Sequence, residues 1–265
     1  MTKIIAIANQ KGGVGKTTTA INLATAMCSI GKKVLIIDLD PQSNATTGLG
    51  IASDKIKKNI YNLMVSEKYS SKYIYKTIIP TLDIIPATMD LAGAEVELVN
   101  IQDREKRLKK ILNQINEYDN IMIDCPPALG LLTINGLVAS DSVIIPLQCE
   151  FFALEGLSSL MQTIDSIKGS YNEHLEVQGV VLTMYDKRNL LSSLVEKDVR
   201  EHLGNKVYST IIPRNVRISE APSHGKPVLI YDVGCTGSKA YIELAKEVIK
   251  QQNGEQIWMT KKVIN

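Results

Sequence analysis

Aromatic residues make up only 5% of the 265-residue chain, too few for a surface that stacks the bases of single-stranded nucleic acid. Cysteine is sparse as well. Cys28, Cys125, Cys149 and Cys235 show no C-x-x-C spacing, and the first three lie in apolar surroundings, as buried thiols of a reducing compartment do. The histidines, His174, His202 and His224, are dispersed, so no metal site built from protein ligands alone is expected. No apolar run approaches the roughly 18 residues of a membrane span, and the N-terminus enters a strand-like run without a leader, which predicts a cytoplasmic protein. Net charge is +2, short of a globally basic nucleic-acid binder, so any DNA contact has to come from a local stripe. With 45% hydrophobic and 22% charged residues, disordered and collagen-like classes are excluded too.

The chain is organised by residues 3–40. Lys3-Ile4-Ile5-Ala6-Ile7-Ala8-Asn9 is a short apolar run suited to a strand buried on both faces. It stops at Gln10-Lys11-Gly12-Gly13-Val14-Gly15-Lys16-Thr17-Thr18, where three glycines in four positions let backbone N–H groups turn inward at the mouth of a helix. Such a loop is a phosphate cradle. Lys16 is placed to lay its ammonium against β- and γ-phosphates and the Thr17 hydroxyl to ligate a bridging magnesium ion, so ATP and Mg2+ are the expected cofactors. Gln10 stands where the general G-x-x-x-x-G-K-S/T pattern has its first glycine, so the loop is a variant of that pattern. Apolar spacing predicts a helix over 18–30 ended by Gly31, then a strand over 34–37 that delivers Asp38 and Asp40 at its carboxyl end. On fold logic alone either aspartate could equally cap a helix or close a turn. Residues 120–124 predict another strand, stopped by Pro126 and Pro127 so that Asp124 sits at its tip, the form of a Walker B edge that holds magnesium through water.

The run from Lys11 to Thr18 resembles the deviant Walker A signature K-G-G-x-G-K-T-T, and Asp38-Leu39-Asp40-Pro41-Gln42 resembles the same family closely. Pro86-Ala87-Thr88, Leu91-Ala92-Gly93-Ala94-Glu95 and Ser219-Glu220-Ala221-Pro222-Ser223-His224-Gly225-Lys226-Pro227 extend the likeness over residues 2–250. On these motifs the chain is similar to Soj-like ParA-type partition ATPases, small members without an N-terminal helix-turn-helix domain. The resemblance implies an α/β P-loop fold, a doubly wound and mostly parallel sheet flanked by helices. It implies an ATP loop of Lys11, Gly12, Gly13, Val14, Gly15, Lys16, Thr17 and Thr18, with Lys11 crossing a sandwich dimer to the partner's nucleotide. Asp40 would orient the attacking water, Asp38 would join Thr17 and Asp124 around magnesium, and Pro213 and Asn215 would lie against adenine. Arg188 and Arg217 match arginines that bind the DNA backbone after dimerisation. Without the resemblance, Lys11 reads as a solvated loop lysine and the arginines as ordinary surface charges.

The partners so implied are a second copy of the chain, non-specific duplex DNA held in a salt-sensitive way, and a ParB/Spo0J-type centromere-binding protein that stimulates slow hydrolysis. The implied location is the cytoplasm, on the nucleoid. A MinD-type membrane-positioning ATPase shares the loop and is the alternative, differing at the tail; no stable membrane association is expected.

Elsewhere the sequence predicts one P-loop ATPase domain over 1–254 and a tail over 255–265. Residues 43–50 are polar and threonine-rich, a mobile segment able to close over a γ-phosphate, and 51–79 read as short surface helices. Strands are expected over 82–86, 143–146 and 177–183, and helices over 91–99, 103–117, 154–167 and 240–249. Residues 131–135 fit a second switch region of the family. An amphipathic helix is expected within 185–200, and a strand at Ile211-Ile212 before the basic run to Arg217. Val233-Gly234-Cys235-Thr236 departs from the polar, basic sequence of the family at that place. Alternating strands and helices call for a parallel sheet with crossover connections.

Overall fold

The computed structural model describes residues 2–254. Its strands are β1 (Lys3–Ile7), β2 (Val34–Asp38), β3 (Tyr75–Lys76), β4 (Leu82–Ile85), β5 (Asn120–Asp124), β6 (Ser142–Gln148) and β7 (Glu176–Thr183), in one sheet ordered β3-β4-β2-β5-β1-β6-β7. All neighbours run parallel except β3, which lies antiparallel beside β4 at the sheet edge. Successive side chains point to opposite faces, and both faces are covered. Val34 and Ile36 of β2 join the layer under α1 (Lys16–Ser29), α10 (Val228–Tyr231) and α11 (Thr236–Gln252). Leu35 and Ile37 join the layer under α3 (Ile60–Ser66), α4 (Leu91–Glu97), α5 (Arg107–Leu112), α6 (Leu131–Ala139), α7 (Ala153–Ser170) and α8 (Leu190–Leu203). Cys125 and Cys149 are buried in the second layer, while Cys28 and Cys235 are only partly covered.

Helix α1 starts two residues earlier than its apolar pattern does, because Gly15 turns the loop straight into it with φ +87°, and Gly31, at φ +89°, ends the turn after it. Four other regions depart from expectation. Residues 43–50 are not a loose segment: they contain the short helix α2 (Asn44–Gly48), with Ala45, Thr46 and Gly48 buried. Within 51–79, α3 sends Ile60, Leu63 and Met64 into the core, and β3 forms the sheet edge. The helix expected over 103–117 is broken into one tight turn at Arg104–Lys106 and α5. There Asp103 adopts φ +56°, and Arg107 turns inward to donate to the carbonyls of Met64 and Val65, the latter at 2.7 Å. Ile211-Ile212 does not form a strand. Ile212 still donates to the Leu182 carbonyl at 2.8 Å and accepts the Tyr185 N–H at 3.1 Å, but the pairing goes no further than an isolated parallel bridge between Tyr185 and Pro213. The tail over 255–265 lies outside the described residues.

One close approach fixes the far end of α2. Gly50 and Gly225 both have positive φ, +75° and +60°, and cross so tightly that a Cβ on Gly225 would sit 2.8 Å from Cα of Gly50. The chain after α2 is thereby pressed against the turn between α9 (Val216–Glu220) and α10. Gly225→Ala should combine left-handed strain with this backbone clash and cost about 2 kcal/mol, lowering the thermal midpoint by ~4–8 °C. A scanning melt of the variant checks this, and an unchanged midpoint contradicts the contact.

Candidate nucleotide-binding site

Strands β2, β5 and β1 are neighbours in the sheet, so the residues at their carboxyl ends gather along one edge. Asp124 pairs in register with Asp38 on one side and with Ile7, just before the glycine loop, on the other. With strands about 4.8 Å apart, residues distant in sequence share one crevice.

The loop is fastened from several sides. Asn9 donates to the Pro146 carbonyl at 2.8 Å and accepts the Lys11 N–H at 3.0 Å. Gln10 donates to the Gly156 carbonyl at 3.2 Å and accepts the Ser159 hydroxyl at 3.0 Å, so the residue that replaces the first glycine is an anchor to α7. The Thr183 hydroxyl at the end of β7 donates to the Val14 carbonyl at 2.8 Å. Lys16 folds across the loop and donates to the Lys11 carbonyl at 2.9 Å. Burial lowers its pKa, against the opposing pull of Asp124 and Asp40. No side chain caps α1, so the N–H groups of its first turn face the loop mouth unclaimed by a cap.

The three carboxylates differ in how they are held. Asp38 accepts the Thr46 N–H at 2.8 Å and the Thr46 hydroxyl at 2.7 Å on Oδ2, and the Asp40 N–H at 3.3 Å on Oδ1. Asp40 accepts the Gln42 N–H at 2.9 Å. Asp124 is fully buried, and among the described residues no donor meets either of its oxygens with hydrogen-bond geometry, although the Thr17 hydroxyl and the Lys16 ammonium lie near enough to pull its pKa down. Burial, and after it the charge of Asp38, pushes the Asp124 carboxyl well above the usual carboxylate range; burial also raises Asp38, with the Thr46 bonds pulling the other way. A buried carboxylate without donors is costly unless something positive faces it. Orphaned oxygens beside an ammonium, an uncapped helix start and the Thr17 hydroxyl form a hard, oxygen-rich setting of the kind magnesium and phosphate take together. The residues therefore fit the Mg2+ and ATP that the sequence calls for.

Beside the loop lies a cavity of about 410 Å³, lined by Gly15, Thr18, Met184, Pro213, Asn215 and Val216 among others. That is room for a small ligand. Pro213 and Asn215 are thus brought to the loop, although Asn215 also caps α9 through the Arg217 N–H at 2.8 Å and donates to the Thr236 hydroxyl at 2.8 Å.

The cations assigned to intermolecular contacts are each paired within the chain. Lys11 is ion-paired with Glu150. Arg188 makes two bonds to Asp186, at 3.0 and 2.8 Å, and holds that carboxyl down at about 2. Arg217 meets Glu220 at 3.0 Å and Asp232 at 3.5 Å. Thr46, Thr183, Asn9 and Glu150 escape sequence reasoning. Nothing local separates Thr46 from Thr47, since its contact exists only once α2 has formed.

A family model described as AAA domain matches residues 2–177. The chromosome partitioning protein ParA of Caulobacter vibrioides is 55% identical to the chain over 257 residues, 96% of each. The chain belongs to the ParA/Soj family. Identity to the sporulation initiation inhibitor protein Soj of Bacillus subtilis is 53% over 94% of this chain and 98% of that protein. Among solved structures, cobyrinic acid a,c-diamide synthase from Mycobacterium smegmatis with bound ADP and magnesium is 35% identical, with 97% of both chains covered and a TM-score of 0.85. The ParA/Soj fold is thus shared across proteins with different names, and the site residues of this chain carry the argument about its own chemistry.

The orphaned Asp124 makes a prediction for the ligand-free chain. An unfolded aspartate has a pKa of about 4, and the buried one is higher, so between these values the native state binds more protons than the unfolded state. Stability should fall as pH rises through that window. Asp124→Asn should raise the ligand-free melting point at pH 8, more than at pH 5, as measured by parallel thermal scans; equal shifts at both pH values, or none, contradict the assignment.

Proposed function

We propose that the chain is an ATP-dependent switch for DNA partitioning. The observation that carries the nucleotide reading is the pair of unpartnered, buried Asp124 oxygens facing a lysine and a glycine loop. In this reading Gly12, Gly13, Val14, Gly15 and Thr18 wrap the phosphates, Lys16 holds their β and γ oxygens, and Pro213 and Asn215 border the base. Thr17 and Asp124, with Asp38 nearby, would hold magnesium. When bound, that ion neutralises phosphate charge and makes the terminal phosphoryl group a better electrophile. Asp40 sits where the chain leaves β2 and orients water for attack.

Lys11 is the residue that changes partners. In the single chain it answers Glu150; in the ATP-loaded dimer it leaves that carboxylate for the phosphates of the other copy. Phe151 and Phe152 come directly after Glu150, are 76% and 63% exposed, and stack edge to face, an apolar surface that a second copy would cover. Arg188 and Arg217 then hold the backbone of duplex DNA without reading sequence. A ParB/Spo0J-type protein stimulates an otherwise slow hydrolysis, after which the dimer parts and leaves the DNA. The ParA and Soj names of the relatives favour partitioning over the membrane-positioning alternative. Among the described residues no helix is long and apolar enough to cross a membrane.

Lys16→Ala should abolish retention of ATP, measured by equilibrium dialysis; retained micromolar affinity contradicts the cradle. Asp40→Ala should keep nucleotide binding, lose turnover by about 100-fold or more, and stay as a dimer on DNA when sized with ATP and duplex. Unchanged turnover removes Asp40 from the mechanism. Co-sedimentation of wild type with ATP and either duplex DNA or anionic liposomes separates the partition reading from the membrane one.

A further inference from the structure

Asp38 and Asp124 face each other in register, yet of the two Asp124 is the one without hydrogen-bond donors among the described residues. The difference is Thr46. Its N–H and hydroxyl both end on Asp38 Oδ2, at 2.8 and 2.7 Å, and the same hydroxyl accepts the Ala87 N–H at 3.0 Å. Ala87 lies just beyond β4, so one hydroxyl bridges the tips of β2 and β4 from a residue that belongs to α2. Asp38, Thr46 and Ala87 are 0%, 2% and 1% exposed, and bonds to a charged acceptor in so dry a place are strong and directional.

This arrangement fixes more than one side chain. Asp40 donates its N–H to Asp38 Oδ1 at 3.3 Å, and its carbonyl accepts the Ser43 N–H at 2.9 Å on the way into α2. The segment carrying Asp40 is therefore held at its start by Asp38 and at its end by the Thr46 anchor. Beyond α2 the Gly50–Gly225 crossing closes the other side.

We propose that Thr46 is a positioning residue for Asp40: by donating twice to Asp38 it makes that carboxylate the anchor of α2 and leaves Asp124 as the carboxylate free to face a cation. The inference rests on the magnesium–nucleotide reading of the site. It departs from the resemblance, in which Asp38 belongs to the magnesium shell, because both acceptor positions of Asp38 Oδ2 and one of Oδ1 are taken by protein donors, leaving it less free than Asp124. Serine can repeat both tasks of the hydroxyl, donation to Asp38 and acceptance from Ala87; valine, with nearly the same shape, can do neither.

The test compares wild type, Thr46→Ser and Thr46→Val in the full chain. Three quantities are read: kcat and KM for ATP at saturating Mg2+, affinity for a fluorescent ATP analogue, and amide exchange of residues 44–48 without nucleotide. Thr46→Val should lose about tenfold or more in kcat with KM and analogue affinity within about threefold, and should exchange faster over 44–48. Thr46→Ser should stay within about threefold of wild type throughout. Thr46→Val with wild-type kcat overturns the proposal, as does Thr46→Ser impaired as badly as Thr46→Val, which would assign the effect to the lost methyl. If Thr46→Val fails to fold, Thr46→Ala serves as the hydroxyl-free variant under the same criteria. Wild type that does not bind the analogue sinks the site reading and this proposal together, whereas normal wild-type binding with an unaffected valine variant sinks only the proposal.

Discussion

A carboxylate buried at the tip of β5, with no hydrogen bond to either oxygen among the described residues, is the constraint on which the rest of the molecule turns. Strand order creates it, by inserting β5 between β1 and β2 and so setting Asp124 between the glycine loop and Asp38. Solvent cannot reach it, and the nearby ammonium of Lys16 is itself largely buried. An isolated charge in such a place pushes toward protonation or toward a cation. The ligand-free fold thus holds in reserve a stabilisation that binding releases, and ligand and fold become linked by mass action.

What the sequence disclosed, and what it withheld, depends on how far apart the cooperating residues lie. Glycines at 12, 13 and 15 dictate a backbone shape within a few residues, so the loop and the start of α1 could be read directly. Apolar runs likewise marked β1, β2, β5, β6 and β7, because strands covered on both faces have little room for polar residues. The break at Arg107 is hidden in the sequence, since its partners, the carbonyls of Met64 and Val65, lie 43 and 42 residues away. The strand suggested by Ile211 and Ile212 comes to no more than the bridge between Tyr185 and Pro213, a long-range pairing that apolar patterning does not disclose. Residues 43–50 look loose because serine, asparagine and threonine favour turns, yet the contact with Asp38 organises them into α2.

The site has the same division. Asp38, Asp40 and Asp124 announce themselves by ending apolar runs, whereas their inequality does not. Which carboxylate is engaged and which is left without donors depends on α2, on Ala87 beyond β4, and on the crossing at Gly50 and Gly225. Gln10 is a similar case: a missing glycine in the motif turns out to be a fastening between the loop and α7.

The pairing of Arg188 with Asp186, and of Arg217 with Glu220 and Asp232, bears on how these side chains would meet a nucleic acid. Each arginine would exchange one anion for another rather than arrive bare, so a phosphate would displace a carboxylate already in place; because both pairs are exposed, that exchange costs little, and the guanidinium groups are pre-oriented without being locked.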